Sequence, residues 1–381
     1  MVRSNDVLFE DAVIEILSRL PVKSLLRLRC VCKSWCDLVK NPNFISKHLK
    51  NVDTRLIVIY MDEDDGTDQF YYPTDLFCLF TDETLEDLSL QDLDLQQPIG
   101  GSVSGPYDGI YYIVGLDHRM YLWNLAMGEC RRLPKCRATF PHYTRVLCTN
   151  VGFGLDPMGN DFKLVLIFTL WNEKRNKSHE FSHCAVYNLL SNSWRDFESF
   201  KSIHYSRPHS YSCTYSDGVC YWLWNLHHNQ QIIIISFDMG KEVFQEIQGP
   251  DIDESAYETL GLYYDSLSLL FLNLIKNCFE IWVMKSTNWS KQLSVGSIPG
   301  VNEPLGFWKN GSIFLQSDSQ RLLLYDPNTQ ETRDLGLRSF SFSVYKYKES
   351  LIPIKGEDNF FNFFDIPWHV LGVSETDTCP N

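Results

Sequence analysis

The sequence predicts a small all-α module over residues 1–50, followed by an all-β domain over residues 51–381 that forms a β-propeller of six or seven blades. Three observations carry this expectation. Residues 8–49 place apolar side chains at helical spacing. Residues 75–335 repeat one hairpin-like unit six times, and Asp-Gly or Asn-Gly pairs between the copies each precede an alternating strand.

In the first module, Val13, Ile14, Leu17 and Leu20 recur at three- and four-residue intervals from Glu10 onward, which marks an amphipathic helix. Pro21 stops it, because a proline ring cannot continue the hydrogen-bond ladder. Leu25, Leu26 and Leu28 predict a second short helix, and Val31, Trp35, Leu38 and Val39 a third. Asn41-Pro42-Asn43 reads as a turn, after which Phe44, Ile45 and Leu49 resume the apolar periodicity. A three-helix module of this size buries little core on its own. Its surplus of apolar residues therefore reads as half of an interface.

The repeated units are segments 78–90, 122–133, 186–197, 236–247, 281–293 and 324–335. Aligning Phe80, Trp123, Tyr187, Phe237, Trp282 and Tyr325 gives spacings of 43, 64, 50, 45 and 43 residues. Each unit is an apolar run ending in an aromatic, then small turn residues, then a second strand, as a hairpin needs. Trp194, Phe244 and Trp289 stand seven residues after their anchoring aromatic, in register with Cys130 and Thr332. Asp108-Gly109, Asp217-Gly218 and Asn310-Gly311 mark tight turns ahead of further strands, and residues 151–168 read as strand, turn, strand. About four strands in about 45 residues is a propeller blade. Residues 172–177 account for the longest interval as an extended loop, and a two-sheet sandwich with long excursions is the alternative architecture.

Composition bounds the function. Hydrophobic content of 44% and aromatic content of 14% belong to a packed globular chain. No apolar run reaches the roughly twenty residues of a membrane span. Asp6, Glu10, Asp11 and Glu15 argue against a secretory signal, so the twelve cysteines are expected as reduced thiols in a cytoplasmic protein that also has access to the nucleus. Residues 1–50 hold nine Lys+Arg against five Asp+Glu; the remainder holds 25 against 43, a net of −18. Such a domain repels nucleic acid, and its charge serves either ordinary solubility or encounter with a basic protein.

No sequence pattern of a nucleophile elbow, a zinc protease helix or a phosphate-binding loop is present, and neither a catalytic group nor a cofactor is expected. Cys30, Cys32 and Cys36 read as core packing, since metal ligation needs a further matching pair. His204, His209, His227 and His228 read as surface or loop histidines. Asp62-Glu63-Asp64-Asp65 lacks the alternation of a calcium loop and reads as a solvated acidic stretch. Trp222 and Trp224 alternate on a strand, either as core or as a binding platform, with core the stronger reading.

Residues 8–49 resemble the F-box, through Glu10, Asp11, Ile16, Leu17, Arg19, Leu20, Pro21, Val22, Lys23, Ser24, Leu25, Arg27, Cys30, Val31, Cys32, Lys33, Trp35 and Leu38. One departure is Leu8-Phe9, where the family has Leu-Pro. Gly152-Phe153-Gly154-Leu155-Asp156 through Asp161-Phe162-Lys163-Leu164-Val165, with Leu122-Trp123-Asn124 and Arg131-Arg132-Leu133-Pro134, resembles the plant F-box-associated domain. That domain is often grouped with kelch propellers, although the kelch Gly-Gly pair is missing here. The combination is similar to the plant group that includes the S-locus F-box proteins.

The resemblance implies a non-catalytic substrate-recognition subunit of a Skp–cullin–F-box ubiquitin ligase. Leu8, Ile14, Leu17, Leu20, Pro21, Val22, Leu25, Cys30, Val31, Trp35 and Leu38 would then meet a Skp-type adaptor, and through it a cullin–RING core. The β domain would hold a target protein, through residues the sequence does not identify. An S-locus role would make that target a basic pistil ribonuclease, whereas relatives in defence or hormone signalling take other targets. The competing reading is a propeller enzyme with a central pocket, which needs converging carboxylates that the sequence does not place. A self-sufficient β domain would leave the apolar face of residues 8–49 free for the adaptor.

Overall fold

Four helices, one more than the periodicity predicts, precede the first strand: α1 (Ser4–Leu17), α2 (Val22–Leu28), α3 (Lys33–Lys40) and α4 (Pro42–Asn51). The structure is a computed structural model that describes residues 4–61, 75–80, 85, 101–115, 119–136, 138, 140, 144–158, 161–172, 180–197, 213–225, 232–252 and 255–354. The additional helix begins where a turn was expected. Asn41 Oδ1 accepts the Asn43 N–H at 2.8 Å, and Pro42 takes the first helical position, where its missing N–H costs nothing. Asn and Pro suit turns and helix starts alike, so local spacing did not separate the two.

α1 ends at Leu17, before Pro21, and the chain tightens there through bonds such as Leu20 N–H to Leu17 O at 3.1 Å. Pro21 is the N-cap of α2 rather than the breaker of α1. It has no side-chain acceptor to offer, and Glu349 supplies one: its Oε2 accepts the Val22 N–H at 2.7 Å.

The β domain opens with β1 (Arg55–Met61) and β2 (Asp75–Phe80). Blade 2 is β3 (Gly101–Tyr107), β4 (Ile110–Gly115), β5 (Met120–Asn124) and β6 (Glu129–Arg132). Blade 3 is β7 (Thr144–Asp156), β8 (Asp161–Asn172), β9 (Glu180–Asn188) and β10 (Ser193–Phe197). Blade 4 is β11 (Thr214–Ser216), β12 (Val219–Asn225), β13 (Ile232–Asp238) and β14 (Val243–Gln248). Blade 5 is β15 (Ser255–Tyr263), β16 (Ser266–Asn273), β17 (Cys278–Lys285) and β18 (Asn288–Gly296). Blade 6 is β19 (Val301–Phe307), β20 (Ile313–Ser317), β21 (Arg321–Asp326) and β22 (Glu331–Arg338).

The final strand, β23 (Phe342–Tyr347), pairs antiparallel with β1 from Arg55↔Tyr347 to Tyr60↔Phe342, which makes blade 1 the sheet β2-β1-β23. The innermost strands β23, β3, β7, β11, β15 and β19 touch in a closed cycle, so the domain is a six-bladed propeller and not a sandwich. The residues that could have made a seventh blade are spent partly in β7 and β8, 13 and 12 residues long.

Five repeated segments are the outer hairpins of blades 2 to 6. The first, 78–90, contributes the end of β2, and most of its remainder lies outside the described residues. The aromatic registers Trp123↔Cys130, Tyr187↔Trp194, Phe237↔Phe244 and Tyr325↔Thr332 form. Trp289 departs from the pattern. The β17–β18 hairpin closes at Lys285↔Asn288 over two residues, where the other outer hairpins close over four, so Trp289 pairs with Met284 instead.

The Gly-Phe-Gly…Asp-Phe-Lys signature joins blade 3 to blade 4. A side chain at Gly152 or Gly154 would collide with the Trp222 or Tyr215 ring of the next blade. Lys163 Nζ, buried on β8, meets Asp156 Oδ2 at 2.7 Å, Glu242 Oε1 at 2.9 Å and the Met239 carbonyl at 2.7 Å; the last two belong to the β13–β14 turn. Arg195 also pairs with Glu242. Removing one partner of a buried ion network strands the others, so Lys163→Ala should cost about 3–5 kcal/mol of stability. Urea unfolding followed by tryptophan fluorescence reads this; an unchanged midpoint would mean the network does not hold the blades together.

Candidate functional site

The helical module is seated on blades 1 and 2 rather than standing apart from them. Leu17, Val22, Leu25, Val39, Phe44 and Ile45 share one apolar cluster with Tyr107, Ile110, Leu122, Leu351, Ile352 and Ile354. The strip after β23 is the intermediary. Asn124, fully buried, donates through Nδ2 to the carbonyls of Ser350 (3.0 Å) and Ile352 (2.9 Å), and Ile354 N–H reaches Glu129 Oε2 at 3.3 Å. The polar bolts lie beside it. Lys348 Nζ donates to the Leu49 carbonyl at 2.7 Å, and Arg55 meets Glu349 Oε1 at 3.1 Å. His48, buried, lies 3.0 Å from the Leu20 carbonyl through Nε2, and burial pushes its pKa down. The expectation of a module independent of the β domain is thus corrected: the two share a core.

This seat sorts the eleven residues expected at an adaptor surface. Val22 and Leu25 are 0% exposed, and Leu17 is buried with them, so in this conformation they offer a partner no surface. Ile14, Leu20, Trp35 and Leu38 are half-buried; Pro21, Cys30 and Val31 are exposed, Val31 at 66%. The side chain of Leu8 lies outside the described residues. Ile16, matched in the motif but absent from the expected surface, is 63% exposed. Its signal was being apolar off the Val13–Ile14–Leu17 stripe. Around these positions Lys23, Arg27, Arg29, Lys33 and Lys40 are exposed, giving an apolar surface with a cationic rim.

Cys30 and Cys32, which precede α3, are exposed and Cys36 on α3 is half-buried, which overturns their assignment to the core. Hydrogen bonding to the Ser34 hydroxyl and to the Trp35 N–H holds the Cys32 thiol below its usual range.

At the other end of the propeller the geometry differs. β1 leaves the module at Arg55, so the turns within β3–β4, β15–β16 and β19–β20 lie on the module's side. The connections between the second and third strands of each blade, and between blades, leave from the opposite end. They include residues 62–74, 173–179, 198–213 and 226–231, longer than the turns on the module's side. Within the described residues, Tyr257, Leu274, Ile275 and Phe340 are exposed apolar side chains at that end. Trp222 and Trp224 are not part of it: both are buried, with Trp222 Nε1 donating to the Val151 carbonyl at 3.1 Å. His204, His209, His227, His228, residues 62–65 and most of the 172–177 loop lie outside the described residues.

Comparison with known proteins agrees with this two-part layout. Residues 7–47 match the F-box domain, and residues 87–374 match the F-box associated beta propeller domain. An F-box/kelch-repeat protein of Arabidopsis thaliana is 27% identical over 322 residues, covering 82% of this chain and 85% of the relative. A second Arabidopsis thaliana F-box protein is 25% identical over 376 residues, covering 91% and 98%. Among solved structures, TolB from Acinetobacter baumannii is similar at a TM-score of 0.42 and 13% identity, covering 80% of this chain and 69% of that one.

Glu349 is the residue on which the seat turns, since it caps α2 and pairs with Arg55 at once. Glu349→Ala should cost about 1–3 kcal/mol, as loss of a cap and of a charge-assisted bond does. Hydrogen exchange should quicken at the amides of residues 22–28 first; uniform exchange across the chain would contradict a local role.

Proposed function

Because the chain belongs to the F-box-associated β-propeller family and carries an F-box ahead of its propeller, we propose that it is the substrate-recognition subunit of a Skp–cullin–F-box ubiquitin ligase. The observation that carries the proposal is the division of labour between two ends of one chain whose helical module and propeller share an apolar cluster. One end presents Ile16 and Val31, apolar and exposed within a cationic rim, for a Skp-type adaptor. The other presents Tyr257, Leu274, Ile275 and Phe340 as exposed apolar side chains for a target.

Such a receptor does no chemistry on its target. It holds the target where a recruited conjugating enzyme reaches it, and its contribution is effective concentration. No group of this chain has to act as acid, base or nucleophile. Ten free cysteines among the described residues fit a reducing, cytoplasmic setting.

The target is of basic charge class. Residues 62–100 hold twelve Asp+Glu and no Lys or Arg, within a domain of net −18. Opposite charge speeds encounter and orients it. A basic ribonuclease, as the S-locus likeness implies, is one protein of this class.

Substitution at exposed positions separates docking from folding. Ile16→Asp with Val31→Asp should weaken adaptor capture by about tenfold or more, since charge is forced into an apolar contact, while the melting temperature holds. Leu25→Ala, by contrast, should cost about 2–5 kcal/mol of stability by opening a cavity. Adaptor capture unchanged by the exposed pair would refute the assignment of the docking surface. Target capture should fall as salt rises from about 0.05 to 0.5 M, because the Debye length shortens several-fold.

A further inference from the structure

Three successive inner strands, β15, β19 and β23, bring a tyrosine, a glutamate and a phenylalanine to the rim of the central channel opposite the helical module. Tyr257 is the third residue of β15, Glu303 the third of β19, and Phe340 lies two residues before β23. Hydrogen bonds tie the three positions together. Thr259 Oγ1 on β15 donates to the Pro304 carbonyl, beside Glu303, at 2.7 Å. Gln316, the register partner of Glu303 on β20, donates through Nε2 to the Phe340 carbonyl at 3.0 Å. Leu274 and Ile275, in the β16–β17 connection, extend the exposed apolar surface along blade 5.

Tyr257 is held there against its own conformational preference. A bulge between Ala256 and Thr259 sets two residues, Tyr257 and Glu258, against the single Phe271 of β16. Tyr257 takes a φ of +56°, a value that such bulges usually leave to glycine, because a β-carbon crowds the backbone there. Packing does not compensate, since the residue is 48% exposed. Two bonds keep the bulge from relaxing. Ser255 Oγ donates to Glu258 Oε1 at 2.6 Å on one side, and Thr259 is fastened to Pro304 on the other. Glycine would serve the fold better at this position; a strained, exposed and firmly presented aromatic serves a contact.

Glu303 supplies the charge. It is exposed, yet the adjoining strands desolvate its carboxyl enough to push the pKa up, and among the described residues no basic side chain stands within 4.0 Å of it. Neighbouring cations are committed elsewhere, Lys276 to Glu280 at 3.3 Å and Arg321 to Asp334 at 2.6 Å. A carboxylate that loses water without gaining a partner is stabilised by a cation that a ligand brings. We propose that Tyr257, Glu303 and Phe340 form the specificity site for a target segment in which one Lys or Arg is flanked by bulky apolar residues. Glu303, on the middle strand of the three, takes the cation, and the rings to either side take its neighbours. The acidic run over residues 62–100 steers any basic protein towards the domain, whereas one carboxylate between two rings discriminates among them. An acidic segment meets Glu303 as a like charge, and a purely apolar one covers it without a partner. The site rests on the reading of the chain as a substrate receptor, which it narrows.

Panning a random peptide library displayed on phage against the full chain tests it, with the enriched peptides resynthesised and measured by fluorescence anisotropy. They should combine a Lys or Arg with aromatic or aliphatic neighbours. Glu303→Lys should weaken them about tenfold or more, and Leu190→Asp, at an exposed position on the module's side, less than about twofold. Glu303→Gln, which keeps the size and removes only the charge, serves if the reversal fails to fold. Tyr257→Gly should raise the melting temperature by relieving the backbone and still weaken the peptides about tenfold or more, a combination that a structural role for the ring does not produce. Enriched peptides without a cation, binding indifferent to Glu303 or to Tyr257, or enrichment of no sequence overturns the site. A dimer in sedimentation velocity that Tyr257→Gly dissolves also overturns it, since the surface then belongs to a second copy of the chain. Adaptor capture by the same chain separates the two readings: it persists when this site alone fails, and its absence counts against the receptor assignment itself.

Discussion

The pairing of β1 with β23 is the constraint on which the rest of the molecule depends. A chain of antiparallel blades would otherwise end in open sheet edges, each a row of unpaired backbone groups. Joining strands that begin at Arg55 and end at Tyr347 closes the cycle and removes those edges from the ring. Because β1 follows α4 within four residues, closure also brings whatever follows β23 beneath the helices. Lys348, Glu349 and the Ser350–Ile354 strip are there for that reason. Cap, seat and channel mouth all follow from one ladder.

Cohesion between blades has its own chemistry. Blades 3 and 4 are held by rings lying on glycines and by a buried lysine shared between carboxylates of both. A buried ion network is a weaker source of stability than an apolar contact of equal size, but it is more demanding of geometry. Lys163 reaches Asp156 and Glu242 together only if the blades sit at one angle. The signature motif therefore reads as a device that fixes blade orientation, and nothing in its geometry calls for a catalytic explanation.

What was legible in the sequence was local. Outer hairpins announce themselves because a buried aromatic, a short turn and a second strand fall within twelve or thirteen residues, and Asp-Gly turns carry the positive φ they need in their composition. What was illegible depended on distant partners. Periodicity finds the apolar stripe of α1 and α2 but not what covers it, and so Val22 and Leu25, buried by a strip more than three hundred residues away, read as surface. Cys30 and Cys32 failed in the opposite sense: small apolar residues were read as core, and they are exposed. The register of Trp289 was lost to turn length: its hairpin closes over two residues where the other outer hairpins close over four.

Sharing one core between module and propeller bears directly on how a receptor works. Effective concentration falls as the volume explored by a tethered target grows, and a hinge between the two parts would enlarge that volume. Here the apolar cluster runs without a break from Leu17 to Ile354, and Lys348 and Glu349 fasten α4 and α2 beside it. Angular freedom between the two ends would require breaking those contacts together, at a cost well above thermal energy. The orientation of a target relative to the adaptor is therefore a property of this chain and not of a linker.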